Sequence, residues 1–299
     1  MADQLRDKFA QVGCEAQVTL AADGAALLAA AAKAVSDGVE LIVAGGGDGT
    51  INAVASKVAG SGAIFGVLPL GTLNHFAKDL GIPLALDEAI ATVATGKVRE
   101  VDVAEVNGQI FLNNSSLGLY PDIVRDREKQ QHRLGRGKWL AALWATVSAL
   151  RRYPFLSLRL TVDGVRHARR TPFVFIGNNE YTMQGLAIGG RASLDAGVLS
   201  LYVAQHPGRL GLLRFALHAL RGKLGQARDF DVLLTDGFEI DSRHHHMRVS
   251  TDGEVTLMQP PLIYRSRPRA LRVMAPADAV TTSPPPPPLK HPTNTATTS

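Results

Sequence analysis

Cysteine is almost missing: Cys14 stands alone in 299 residues, so the chain can close no disulfide on itself and a reducing compartment suits it. No histidine neighbours Cys14, which argues against a catalytic thiol. Long apolar runs are missing as well. The most apolar stretch, Ala25 to Ala32, lies between Asp23 and Lys33 and falls far short of the roughly 20 residues a membrane span requires. It also lacks the basic start of a signal peptide. Two nucleotide signatures are absent: there is no G-x-x-x-x-G-K-[ST], which excludes a Walker-type P-loop, and no G-x-G-x-x-G placed to bind a dinucleotide.

What the chain does have is apolar mass, with 45% hydrophobic residues, enough for one large core or, more in keeping with the length, two. A formal charge of +5 suits an anionic membrane surface or nucleic acid without choosing between them.

The most informative stretch is Leu41-Ile42-Val43-Ala44-Gly45-Gly46-Gly47-Asp48-Gly49-Thr50. It joins a buried strand to a helix expected from Thr50 through a loop nearly free of side chains. Gly45, Gly46, Gly47 and Gly49 are expected to take positive φ and bring backbone N–H groups against an anion, with the helix dipole behind them. Asp48 is the one charge in that loop. Near phosphates a carboxylate makes sense as a metal ligand or as acceptor of a proton from an attacking hydroxyl. The plainer alternative is a glycine-rich turn capped by Asp or Thr. A second such loop, Pro69-Leu70-Gly71-Thr72-Leu73-Asn74, follows the strand Ile64–Leu68 and enters a helix from His75 to Leu80. In an open α/β sheet, ligands sit at the carboxyl ends of strands, so the two loops can converge on one nucleotide.

Helices are expected over Asp3–Val12, Asp23–Asp37 (with Asp23 as cap) and Thr50–Ala59, and strands over Ala16–Leu20, Val39–Ala44 and Ile64–Leu68. Such alternation implies a parallel sheet with right-handed crossovers. From Lys97 the grammar turns to β. Glu100–Val106 and Gln109–Asn113 form a hairpin around Asn107-Gly108. Leu156–Val162 and Val165–His167 flank Asp163-Gly164, followed by Thr171–Ile176, Val198–Ala204, Phe230–Ile240, His245–Ser250 and Ala270–Ala275. The fold expected is a Rossmann-like parallel α/β domain over residues 1–96, then an antiparallel β-sandwich over 97–269. A strand in 270–278 is expected to return to the first domain. Residues 279–299, with the proline run Pro284–Pro288, have too little apolar surface to fold and are expected to be disordered.

Gly46-Gly47-Asp48-Gly49-Thr50 followed by Pro69-Leu70-Gly71-Thr72-x-Asn74 resembles the diacylglycerol kinase catalytic family, whose relatives include sphingosine, ceramide and bacterial lipid kinases. Val249-Ser250-Thr251-Asp252-Gly253-Glu254 resembles that family's late Asp-Gly-Glu motif. Ile176-Gly177-Asn178-Asn179 and Ala192 to Leu199 make a fourth element. The chain departs from the family in three places. It opens in the helix that should follow a first strand and an Asn-Pro-x-x-Gly nucleotide loop. That leaves two expectations, an internal start or an ATP site without that loop. Leu73-Asn74-His75 stands where Gly-Asn-Asp is usual, and Ala196-Gly197 replaces the Asp-Gly pair that offers a structural magnesium ligand. With Asp195 one residue early, a structural metal there is not expected, whereas a catalytic one is.

The resemblance implies transfer of a phosphoryl group from ATP, with Mg2+, to a lipid hydroxyl, diacylglycerol first. Gly46, Gly47, Gly49, Thr50, Gly71, Thr72 and Asn74 would hold the nucleotide. Asp252 would be the general base and Glu254 a magnesium- or phosphate-orienting carboxylate. Asp48 would be a ligand in the metal network or the base itself. Two basic amphipathic helices, Arg136–Tyr153 and Arg209–Lys223, are candidates for contact with an anionic membrane or, equally, for covering a domain. The expected setting is cytoplasmic, peripheral at the inner membrane surface, with a lipid substrate, no nucleic acid, and a homodimer left open. Two rivals remain: a kinase of NAD or another soluble substrate, and a nucleotide-binding regulatory protein without turnover. His244-His245-His246 reads as a solvated strand end rather than a metal tract, because His245 must face away from its neighbours in a strand.

Overall fold

The computed structural model describes residues 2–118, 155–184, 187–191, 193–204 and 230–277. The two amphipathic helices and the proline-rich tail expected from the sequence lie outside the described residues.

The first part alternates helix and strand only from its second helix to its fourth. Helix α1 (Ala2–Gln11) and helix α2 (Gly24–Ser36) precede strand β1 (Leu41–Gly46), helix α3 (Asp48–Val58), strand β2 (Ile64–Pro69), the short helix α4 (His75–Asp79) and helix α5 (Leu86–Thr95). Asp23 caps α2, its Oδ1 accepting from the Ala26 N–H at 2.8 Å. In α3 the buried residues Ile51, Val54, Ala55 and Val58 recur at helical spacing and pack with Phe65, Val67 and Leu68 of β2 and with Ala89, Ile90 and Val93 of α5. The expected strand over Ala16–Leu20 is absent. No strand of the described residues lies alongside it, and an isolated extended segment has no ladder to hold it.

Beyond residue 96 the regular elements among the described residues are all strands. They run β3 (Lys97–Val106), β4 (Gln109–Phe111), β5 (Asn114–Gly118), β6 (Leu156–Val162), β7 (Val165–Thr171), β8 (Phe173–Asn178), β9 (Tyr181–Gln184) and β10 (Ala187–Arg191). The remainder are β11 (Leu199–Ala204), β12 (Phe230–Thr235), β13 (Gly237–Ser242), β14 (Met247–Thr251), β15 (Glu254–Met258) and β16 (Leu262–Ala275). Asn107-Gly108 and Asp163-Gly164 both take positive φ at their two positions, as two-residue hairpins of this kind demand. The stretch expected as one strand over Phe230–Ile240 is two, broken at Asp236: β12 pairs with β11, whereas β13 pairs with β6 and β16. The chain crosses there from one sheet to the other, a bend that periodicity alone does not register.

Apart from the two-stranded pair β9–β10, one sheet runs β1-β2-β16-β13-β6-β7, with β3 beside β16 and β4 beside β3, and the other is antiparallel, β12-β11-β8-β5-β14-β15. Their facing residues alternate along each strand, Leu158, Leu160, Phe238, Ile240, Leu262 and Tyr264 meeting Val174, Ile176, Leu199, Leu201 and Val249. This is a parallel-rich α/β part followed by an antiparallel sandwich, the architecture expected. The 14-residue β16 links them. Leu262 to Arg265 pair with β13, Arg272 and Val273 lie parallel to Ile64 and Phe65 of β2, and β3 accompanies it from Tyr264 to Ala275. A bulge interrupts that accompaniment between Arg267 and Leu271, where Arg269 has φ 52°.

Candidate active site

Strands β1 and β2 pair in parallel from Leu41↔Ile64 to Gly46↔Pro69, so their two glycine loops leave the sheet at one level. Helix α3 begins at Asp48, two residues earlier than expected, with Gly47 as its cap. Glycine offers no capping side chain, so this helix start has no side-chain cap bond of its own. That is the condition under which a helix start receives an anion.

The glycines work differently from expectation. None of Gly45, Gly46, Gly47 or Gly49 has positive φ; what they provide is clearance. A methyl group on Gly46 would stand 2.6 Å from Thr50 Cβ, and one on Gly71 only 2.4 Å from Gly47 Cα. The two loops thus touch backbone to backbone. Asn74, in the left-handed region at φ 51°, ties the second loop to itself: Oδ1 accepts from the Gly71 N–H at 3.0 Å, and Nδ2 donates to the Gly71 and Pro69 carbonyls at 2.8 and 3.2 Å. Its amide therefore shapes the loop. Thr72 and His75 are exposed beside it.

The third motif arrives from the far end of the chain. Asp252-Gly253 is the two-residue turn joining β14 to β15, with φ of 49° and 87°. Directly after it, the Glu254 carboxylate comes within 3.0 Å of where a methyl on Gly49 would stand. Glu254 therefore sits over the first turn of α3, where the dipole favours a negative charge. The Asp252 carboxylate turns the other way, accepting from the backbone N–H groups of Leu112, Asn113 and Asn114 at 2.7, 2.8 and 3.0 Å. Burial pushes its carboxyl above the ordinary value, opposed by those three donors and by the nearby Arg191 charge.

Arg191 was not legible as a site residue. Its side chain has no solvent exposure, and its Nε donates to Asp79 Oδ2 at 2.8 Å. Nη1 donates to the Leu112 and Asn178 carbonyls at 2.7 and 3.2 Å, and Nη2 to Asn113 Oδ1 at 3.2 Å. The guanidinium also lies 5.7 Å from the Tyr181 ring centroid. Asp102 is a second unanticipated group: 1% exposed, it accepts from the Gly197 N–H at 2.6 Å and the Arg269 N–H at 2.8 Å. No local pattern announces either, since their partners lie tens of residues away.

Around Asp195 the chain is held by its own hydrogen bonds. Ser193 Oγ donates to Asp195 Oδ1 at 2.6 Å, Ala196 N–H to Asn179 Oδ1 at 3.1 Å, and Gly197 N–H to Asp102. The side chain of Ala196 has no donor atom for a cation, so a structural magnesium does not fit here. At the glycine loops the case differs. Asp48 opens α3 and the Glu254 carboxylate lies against Gly49 of the same turn, and Mg2+ is commonly held by one or two carboxylates together with substrate phosphates rather than by an all-protein cage. Among the described residues no group of three or more His, Cys, Asp and Glu forms such a cage. His244, His245 and His246 are exposed in the turn before β14.

Comparison with known proteins agrees with this geometry. Residues 1–106 match the diacylglycerol kinase catalytic domain, and residues 122–275 match the YegS C-terminal NAD kinase beta sandwich-like domain. A probable lipid kinase YegS of Salmonella gallinarum is 31% identical over 253 residues, covering 81% of this chain and 80% of that protein. A diacylglycerol kinase of Bacillus subtilis (strain 168) is 28% identical over 263 residues, covering 86% and 85%. The crystal structure of a diacylglycerol kinase from Bacillus anthracis str. Sterne shares the fold with a TM-score of 0.65 at 20% identity, covering 91% of this chain and 89% of that one. A parallel α/β half carrying two phosphate-type loops, completed by an acidic turn from a sandwich, is the build of a two-part kinase. The chain belongs to the diacylglycerol kinase catalytic family, with a C-terminal part of the YegS lipid-kinase type.

Proposed function

We propose that this protein transfers the γ-phosphoryl group of ATP to a lipid hydroxyl, with diacylglycerol the first candidate acceptor. The observation that carries the proposal is convergence: Gly71 meets Gly47, and Glu254 meets Gly49, so three motifs separated by up to about two hundred residues form one site. Phosphoryl transfer consists mostly of positioning and charge neutralisation, which such a site supplies.

In this reading Gly46, Gly47, Gly49 and Thr50 receive phosphate oxygens at the start of α3, and Gly71 and Thr72 present the second loop, shaped by Asn74. Glu254 and Asp48 would hold Mg2+, whose charge offsets that of the phosphates when bound. Asp252 takes the proton of the attacking hydroxyl as that oxygen forms its bond to the γ-phosphorus and the bond to ADP breaks. Three backbone donors occupy two positions on its Oδ1 and one on Oδ2, leaving one lone pair of Oδ2 for the hydroxyl. Burial pushes its carboxyl above the ordinary value, the direction that suits a proton acceptor.

The test is incorporation of labelled phosphate from ATP into diacylglycerol, monoacylglycerol, sphingosine or ceramide in mixed micelles with Mg2+, with NAD as the soluble control. Label in a lipid supports the proposal. Label in NAD alone transfers it to the soluble-substrate reading, and ATP binding without any labelled acceptor transfers it to a regulatory one.

A further inference from the structure

Asp252 and Arg191 grip the same peptide from two sides. Asp252 accepts the N–H groups of Leu112 and Asn113, while Arg191 donates to the Leu112 carbonyl and the Asn113 side chain. Those residues connect β4 to β5, and Asn178 of β8 holds their carbonyl side, its N–H donating to Asn113 O and its Nδ2 to Leu112 O, both at 2.9 Å. Asp252 and Arg191 add the fixing of their N–H groups and of the Asn113 side chain. Behind Arg191 stands Asp79, the last residue of α4, the helix that the second glycine loop enters. A continuous path of hydrogen bonds therefore runs from that helix through Asp79, Arg191 and the 112–114 backbone to Asp252.

We infer that Arg191, pinned by Asp79, is a positioning residue of the phosphoryl-transfer site, fixing the Asp252 carboxylate relative to the helix that follows the second phosphate loop. The inference rests on the reading of Asp252 as the base. Arg191 touches neither nucleotide nor acceptor in this role. It sets where the base stands, and a displacement near 1 Å at a reacting group is enough to cost about a hundredfold in rate.

A purely structural ion pair makes a different prediction. Removing one member of a buried pair strands a charge, whereas removing both for apolar or neutral groups of similar size is often neutral for stability. The experiment therefore compares Arg191→Met, Asp79→Asn, the double variant Asp79→Asn/Arg191→Met, and Arg191→Lys in the full-length protein, by thermal melt and by kcat and KM for ATP with lipid micelles. The double variant is expected to melt above Arg191→Met, though below wild type because buried acceptors at Asn178 and Asn113 lose a donor. Assayed well below its melt, it is expected to show a kcat about tenfold to a hundredfold lower, with KM for ATP within about threefold. Arg191→Lys, which keeps the charge near Asp79 but not the fork onto Leu112 and Asn113, is expected to fall between Met and wild type. Should Arg191→Met fail to fold, the double and Lys variants carry the test. A double variant with wild-type kcat overturns the inference. Asp252→Asn separates the two readings: if it is inactive while the double variant is fully active, only the positioning role fails. If it is active, the base assignment fails and the positioning role with it.

Discussion

Gly71 shows how sharply single atoms are constrained here. An added methyl would press to 2.4 Å from Gly47 Cα, a backbone atom that cannot swing aside, whereas the same addition at Gly49 meets only the end of the Glu254 side chain at 3.0 Å. Gly71→Ala is thus expected to reduce kcat/KM for ATP by more than tenfold, Gly49→Ala by less, and Gly24→Ala, which meets nothing within 4 Å, not at all. Steady-state kinetics on the three variants checks the order. The carboxylates proposed to act in the transfer make a second prediction at this scale. Asp252→Asn and Asp48→Asn are each expected to lower turnover by about a hundredfold or more with the fold retained, since general bases and metal-network carboxylates contribute at that level. Wild-type turnover by either purified variant removes that residue from the mechanism.

Elements were legible in the sequence to the degree that their signals were local. The two glycine loops, the Asp23 cap and the Asn107-Gly108 and Asp163-Gly164 turns each declare themselves within a few residues, and the structure has them in place. Asp252-Gly253 was visible as a motif but not as a hairpin turn, although it is the third of the same kind. The sheet switch at Asp236, the full length of β16 and the partners of Arg191 were not legible, because each depends on what lies opposite in space. The bulge in β16 is the clearest case. Arg269 N–H leaves the ladder there, and Asp102, on the neighbouring strand, accepts it while also taking Gly197 N–H. Asp102→Ala would leave both donors unmatched in a site that is 1% exposed. At about 1–3 kcal/mol per stranded group, the loss of stability is expected to reach about 2 kcal/mol or more. Urea unfolding measures it; a change under 0.5 kcal/mol would mean that water replaces the carboxylate at no cost.

At the scale of the whole molecule, a site proposed to phosphorylate a lipid has to reach one, and one edge of the described structure suits that task. Strand β15 leaves the site directly, starting at Glu254, and ends the six-stranded sheet. Its outward residues Val255 and Leu257 are 51% and 68% exposed. Arg248 pairs across from Leu257, and exposed Arg243, His244, His245 and His246 precede β14. No acidic side chain lies between Arg243 and Asp252 in the sequence, and Asp252 itself is turned inward. An apolar pair beside cations complements an anionic bilayer, and three residues of strand, about 10 Å, separate Leu257 from Glu254. No helix among the described residues is long and apolar enough to cross a membrane. The protein is therefore expected to sediment with phosphatidylglycerol vesicles and much less with phosphatidylcholine, and to be released as salt rises and screens the arginines. Burying a leucine side chain is worth about 1.5–3 kcal/mol, so Leu257→Asp is expected to weaken vesicle binding by about tenfold or more. Because Leu257 is exposed, the melting temperature should not move. Undiminished binding by Leu257→Asp would exclude this edge as the docking surface, and a concentration-dependent dimer lost in the same variant would identify a second copy as its occupant instead.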